Sequence, residues 1–259
     1  MEVDNLEQFK LEVNKALLAR DTNIVVEYQL STFQFFESTK SWKIKENNLL
    51  HCEWGPAAIY EDGTQEWYYK GLLHRIDGPA IIRVDGSEEW YHMNKRHRIG
   101  GPAVIYSDDT QEWYYRGELH RERGPAIIRS DGSEEWYCFG KLHREGGPAI
   151  IKPDGTEKWY CMGKKHRIDG PAIIRSDGTE EWWYRDELHR TDGPAVIYPD
   201  GTQEWWYMGH KHREDGPAVI YSDGTQKYCY MSRLHRIDGP AIIRPDGTQE
   251  WWVEGMRIK

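Results

Sequence analysis

Apolar and polar positions alternate along this chain in short blocks that return with one fixed step. A pair of aliphatic residues follows Gly-Pro-Ala, as in Gly78-Pro79-Ala80-Ile81-Ile82. A polar turn follows at Val84-Asp85-Gly86, and then an aromatic block, Ser87-Glu88-Glu89-Trp90-Tyr91-His92. The aliphatic block predicts a strand over Pro79–Arg83, with Pro79 opening it because proline has no N–H to give a sheet. The aromatic block predicts a second strand over Ser87–His92. Asp85-Gly86 between them predicts a tight hairpin of the I′ type. The stretch from Gly71 to Gly78, which carries His74-Arg75, is read as a longer loop.

The step is 23 residues, and it decides the architecture. His51, His74, His97, His120, His143, His166, His189, His212 and His235 all keep it. So do the Gly-Pro pairs, and the Trp that follows Glu, with Tyr228 in its place once. Such an array buries each unit against its neighbours and needs no single central core. The expected fold is an all-β repeat array, an elongated twisted antiparallel sheet of successive hairpins with a small α/β N-terminal cap. The array takes residues 44–259 and the cap residues 1–43. The first unit is degraded and the last, from Trp251, stops after its first strand. In the cap, Leu6, Phe9, Val13 and Leu17 predict a helix over 5–20, and Ile24–Leu30 a strand. A propeller with 46-residue blades and a parallel β-solenoid are the rival folds. The first closes badly on four and a half pairs of units. The second leaves the Asp-Gly hairpin signal unexplained.

Exceptions to the repeat sharpen this. Gly86 becomes Asp109 one unit later, and Gly71 becomes Asn94, Asp186 and Ser232. Asn and Asp are the non-glycine residues that best tolerate a left-handed backbone, so both slots are expected at positive φ. Ser232 fits less well, and a strained unit is expected there.

Composition excludes some partners. The chain has 13 Trp and 16 Tyr but only 38% hydrophobic residues, and its formal net charge is −9. With no basic block, nucleic acid is not the expected ligand. No membrane span or signal peptide is evident, and the four cysteines are read as free thiols in a reducing cytoplasm. No cofactor is expected. Successive histidines stand too far apart to share a metal ion, and identical groups at regular spacing do not make a catalytic set, so no enzyme activity is expected.

Two ladders remain. His74, His97, His120, His143, His166, His189, His212 and His235, each followed by Arg, form a row read chiefly as architecture, each His fixing its loop. Donors for an acidic partner or for phosphates are the sharper alternative. The aromatic ladder has two slots on opposite faces of a strand. Its second slot, with Trp183, Trp206 and Trp252, either lies covered or forms an exposed stripe suited to a partner. Arg129, Arg175, Tyr198 and Tyr221 on the neighbouring strand would complete that surface.

Lys141 after Gly140, Leu142-His143, Gly147 and Pro199-Asp200-Gly201-Thr202, at this period, resemble the MORN repeat in its bacterial and large-virus variant. Arg follows the histidine where that family carries Gly, and Gly-Pro-Ala is added. The resemblance covers residues 44–259. It implies successive hairpins and binding or scaffolding work without chemistry. The expected function is a macromolecule-binding scaffold or inhibitor that sequesters a protein. The alternative is a binder of a nucleotide or phosphorylated molecule in Arg/Trp pockets. Self-association through a sheet edge or the C-terminal end is a further expectation.

Overall fold

A computed structural model describes residues 25–28, 31–36, 41–44 and 48–259. Among these residues the chain is all-β, an array of successive antiparallel hairpins. The helix expected over 5–20 lies outside the described residues. The chain forms two compact units. One holds residues up to Arg121 with Ala126–Ser130, and the other Glu122–Pro125 with Asp131–Lys259.

Each repeat contains four two-residue strands, where the sequence predicted two longer ones. Ile81–Ile82 pairs with Glu88–Glu89, and Glu88–Glu89 pairs in turn with Val104–Ile105 of the next repeat. These strands build a main sheet. Tyr91–His92 leaves it and pairs with Lys95–Arg96 in a separate side hairpin. The aromatic block is therefore broken at its tryptophan. The Trp90 N–H donates to Ala103 of the main sheet at 2.7 Å, while its carbonyl accepts from the His97 N–H of the side hairpin at 3.0 Å. The last repeat keeps this side hairpin, Trp252–Val253 with Met256–Arg257, rather than stopping after one strand.

The turn types are also exchanged relative to expectation. At the main-sheet turn only Gly86 has positive φ, at 88°. Its N–H donates to Arg83 at 3.1 Å, and the Arg83 N–H to Ser87 at 2.9 Å. That is a three-residue loop, a type I turn closed by a glycine bulge, not a I′ turn. The Asp85 carboxylate accepts from the Ser87 N–H at 2.8 Å, which holds Asp85 below the usual carboxylate range. The I′ turn sits in the side hairpin, inside the stretch read as a loop. There Met93 and Asn94 have φ of 48° and 62°.

Positive φ holds at both slots that the Asn and Asp exceptions marked, Asp109 at 67° and Asp186 at 72°. Ser232 adopts 68°, and its hydroxyl accepts from the Lys211 N–H at 3.2 Å. Asn94 and Asp186 make the same bond, to the N–H of Leu73 at 2.6 Å and of Lys165 at 2.8 Å. At Asn94, Asp186 and Ser232, which replace the side-hairpin glycine, the side chain clasps the preceding side hairpin.

The core is thin. The alanine of each Gly-Pro-Ala, from Ala57 to Ala241, is fully buried, and its backbone bonds to flanking strands. Cross-strand pairing lines up one row of buried and half-buried residues, Ile81–Glu89–Val104–Glu112–Ile127, in the N-terminal unit. In the C-terminal unit the row runs Ile150–Lys158–Ile173–Glu181–Val196–Glu204–Val219–Lys227–Ile242–Glu250. An ionisable residue thus alternates with an aliphatic one. In the cap, the strand predicted over 24–30 is present as Val25–Tyr28. It continues through Ser31–Phe36 to Ser41–Ile44, whose Ser41 pairs with Ala58 of the array.

Candidate functional site

The residue before each tryptophan is the hub of its repeat. Glu89 is only 3% exposed, and a buried carboxylate is costly unless several donors reach it. Three side chains supply them. Arg83, six residues earlier, ion-pairs with it; Arg96, seven residues later, donates at 3.0 Å; Tyr91, two residues later, donates at 3.0 Å. Burial pushes Glu89 up, but these donors outweigh it and hold the carboxyl below its usual range.

Other repeats use the same three slots with different residues. Glu66 accepts from Tyr60 and Tyr68, each at 2.8 Å. Burial and the Glu66 contact push the Tyr60 hydroxyl up to about 12. In the C-terminal unit the aromatic is Trp. The indole N–H of Trp183 donates to Glu181 at 2.8 Å, Trp206 to Glu204 at 2.9 Å, and Trp252 to Glu250 at 3.0 Å. Arg175 donates to Glu181 at 2.7 Å, Lys211 to Glu204 at 2.8 Å, and Arg244 pairs with Glu250. The Lys165 ammonium sits 4.0 Å from the Trp183 ring centre.

Trp183, Trp206 and Trp252 are therefore half-buried, with their indole N–H groups bonded to the hub glutamates and a lysine beside the rings of Trp183 and Trp206. Arg175 and Arg129 are exposed, and Tyr198 and Tyr221 half-buried. Tyr221 accepts from the Lys227 ammonium at 3.0 Å. The structure brings Trp183 and Arg175 onto one glutamate.

Each arginine of the His-Arg pairs lies flat on the first tryptophan of its own repeat. Guanidinium-to-ring distances run from 3.8 Å for Arg98 on Trp90 to 4.2 Å for Arg213 on Trp205. Arg236 stacks on Tyr228 at 4.0 Å, where tyrosine replaces Trp. Arg190 also donates to the Pro194 carbonyl at 3.2 Å and to Asp192 at 2.8 Å.

The histidines pack edge-to-face with the side-hairpin rings. In the C-terminal unit the row is His166, Tyr184, His189, Tyr207, His212, Tyr230 and His235, with centroids 4.9–6.1 Å apart. Nδ1 of His97 accepts from the Arg116 N–H at 3.3 Å, and Nδ1 of His143, His189 and His235 from Met162, Met208 and Glu254. In all four cases a glycine follows the donor. The buried Nδ1 atoms of His74, His166 and His212 have no partner, and opposite them stand Asn94, Asp186 and Ser232. The side-chain clasp at those residues replaces the histidine bond. His120 packs against the Tyr115 ring at 6.1 Å.

Burial holds His51, His74 and His97 below the ordinary histidine value, with the His92 charge adding for the last two. They stay neutral in the fold, while an unfolded chain protonates them below about pH 6.5. Stability of the N-terminal unit is therefore full above that value and is lost as pH falls below it. Melting between about pH 7.5 and 5.5 is expected to show a falling Tm; a flat Tm over that window contradicts neutral burial.

Sequence reasoning missed the glutamate hub and the loop tips. Ile76, Ile99, Ile168 and Ile237, each directly after a His-Arg pair, are 84–91% exposed. The hub had a signal, since aromatic, cationic or phenolic residues recur at fixed offsets around each Glu. Among the described residues no three His, Cys, Asp or Glu side chains gather as metal ligands, and no helix is long and apolar enough to cross a membrane. All four cysteines are free thiols, and burial pushes Cys52 up to about 11. No protein-family model matches the chain, and comparison with curated proteins gives no match.

Proposed function

We propose that this chain is a non-enzymatic binding array of MORN-like hairpins, and that its repeated face recognises a protein partner. One observation carries the reading. Trp183, Trp206 and Trp252 are held in fixed orientation by their glutamates with part of each ring left accessible, and a lysine stands beside the first two. Trp and Arg dominate binding energy at protein interfaces, and anchors already ordered lose little freedom on binding. Arg175, Tyr198 and Tyr221 border the same face. The loop-tip isoleucines add exposed apolar contacts. The arginines of the His-Arg pairs are spent on tryptophan faces and proline carbonyls, which favours a macromolecule over a nucleotide seated in Arg/Trp pockets. Scaffold, inhibitor and cytoplasmic roles are all compatible with this face.

The test is cross-linking of the full chain in lysate of its source, comparing wild type with Trp183→Ala, Trp206→Ala and Trp252→Ala, singly and combined. A protein cross-linked through this face in wild type and lost in variants that still melt cooperatively is the expected result. A partner retained by all of the folded variants overturns the assignment of the face.

A further inference from the structure

Two complete repeats break the hub rule by sign, at Lys158 and at Lys227. Where its sisters carry glutamate, the repeat from Ala149 carries Lys158, paired across the sheet with Ile150 and Ile173. Its two cation slots are also filled, by Lys152 six residues earlier and Lys165 seven later. In sister repeats those slots reach the hub directly: Arg175 bonds Glu181 at 2.7 Å, and Lys211 bonds Glu204 at 2.8 Å. The same register here puts Lys152, Lys158 and Lys165 in the three corresponding slots of a hub that has lost its carboxylate. Arg175, two residues beyond Ile173, borders it from the next strand.

None of the three lysines forms an ion pair among the described residues. Lys165 rests on the Trp183 ring, and Arg175 is committed to Glu181. Glu157, the neighbour of Lys158, alternates to the other face of the strand. Lys227, the lysine hub of another complete repeat, differs because it donates to the Tyr221 hydroxyl at 3.0 Å. Burial lowers the Lys158 pKa, and the charges of Lys152, Arg175 and Lys165 lower it further against the opposing charge of Glu181. Lys158 is half-buried and Lys152 exposed, so the spot opens to solvent.

We infer that Lys152, Lys158 and Lys165 form an oxyanion site that takes a phosphoryl dianion in place of the missing glutamate. Three lysines beside an acid, Glu181, that is already paired with Arg175 suit a doubly charged group better than a single carboxylate. The Tyr160 hydroxyl stands in the slot from which its sisters donate to the hub, and it supplies a fourth donor. The inference is independent of the partner-binding reading, since it concerns a charge swap in one repeat.

Titration calorimetry of the full chain at low salt tests it, with inorganic phosphate, pyrophosphate, and a phosphoserine peptide beside its unphosphorylated form. Wild type is expected to bind phosphate or the phosphopeptide saturably at one site and to weaken as salt rises. Lys158→Glu recreates the sister arrangement, so it is expected to lose binding by roughly tenfold or more and to melt higher than wild type without ligand. Lys158→Gln, which removes the charge without adding an acid, gives the same loss if the glutamate variant misfolds. Preference for the phosphopeptide places the dianion on a protein, and equal response places it on a free phosphate; both support the site. No saturable phosphate response in wild type, or binding unchanged in both variants, overturns it.

Discussion

Trp182→Ala is expected to destabilise the C-terminal unit by about 3 kcal/mol, the low end for losing a large aromatic from a core because the indole is half-buried. The backbone of Trp182 joins the main sheet to its side hairpin, accepting from His189 at 3.0 Å and donating to Ala195 at 2.8 Å. The ring is what holds those two layers together, under the Arg190 guanidinium at 4.1 Å. Arg190→Ala removes only the stacked cation and is expected to cost about 1 kcal/mol. Urea unfolding measures both. Hydrogen exchange is expected to show the loss in the flanking repeats first, since each repeat rests on its neighbours. Equal costs for the two variants would mean that the arginine, not the indole, supplies the packing.

Glu89→Ala is expected to cost about 3 kcal/mol, because it strands Arg83, Arg96 and Tyr91 around a buried gap. The arginines are 41% and 33% exposed, which keeps the cost at the low end for a broken buried pair. Because its pKa is depressed, Glu89 contributes stability that is present above the usual carboxylate range and lost as pH falls through its lower native value. Urea unfolding of wild type and variant at about pH 7 and again below about pH 3.5 checks this. The gap between them is expected to shrink in acid. A gap that stays constant would show that Glu89 acts by packing and not by charge.

The period, the hairpin array and the left-handed slots could be read from the residues because each is a local signal. Asp109 and Asn94 in glycine slots reported backbone angle directly. The glutamate hub could not be read as a core position, because strand patterns treat a charged residue as solvent-facing. Glu89 pairs across the sheet with Ile81 and Val104 and so shares their buried face. The division of Ser87–His92 into two strands was hidden for a related reason. Nothing in the Glu-Glu-Trp-Tyr pattern marks that the Trp90 N–H and carbonyl serve different hairpins. The pairing of unbonded His74, His166 and His212 with Asn94, Asp186 and Ser232 follows from backbone geometry that only coordinates display.

Every clasp between neighbouring repeats spans a short stretch of chain. His97 reaches Arg116, Asn94 reaches Leu73, and the Thr156 hydroxyl accepts from the Ser176 N–H at 3.2 Å. No partner need be found more than about one period away, so relative contact order is roughly 0.1 or lower, the range of helical bundles rather than of β-sandwiches. A sheet protein wired in this way is expected to collapse in milliseconds or less, starting from any pair of adjacent repeats and extending outward. Gain or loss of a whole 23-residue segment leaves every remaining clasp intact. The array can therefore lengthen or shorten its repeated face by duplication without learning a new fold.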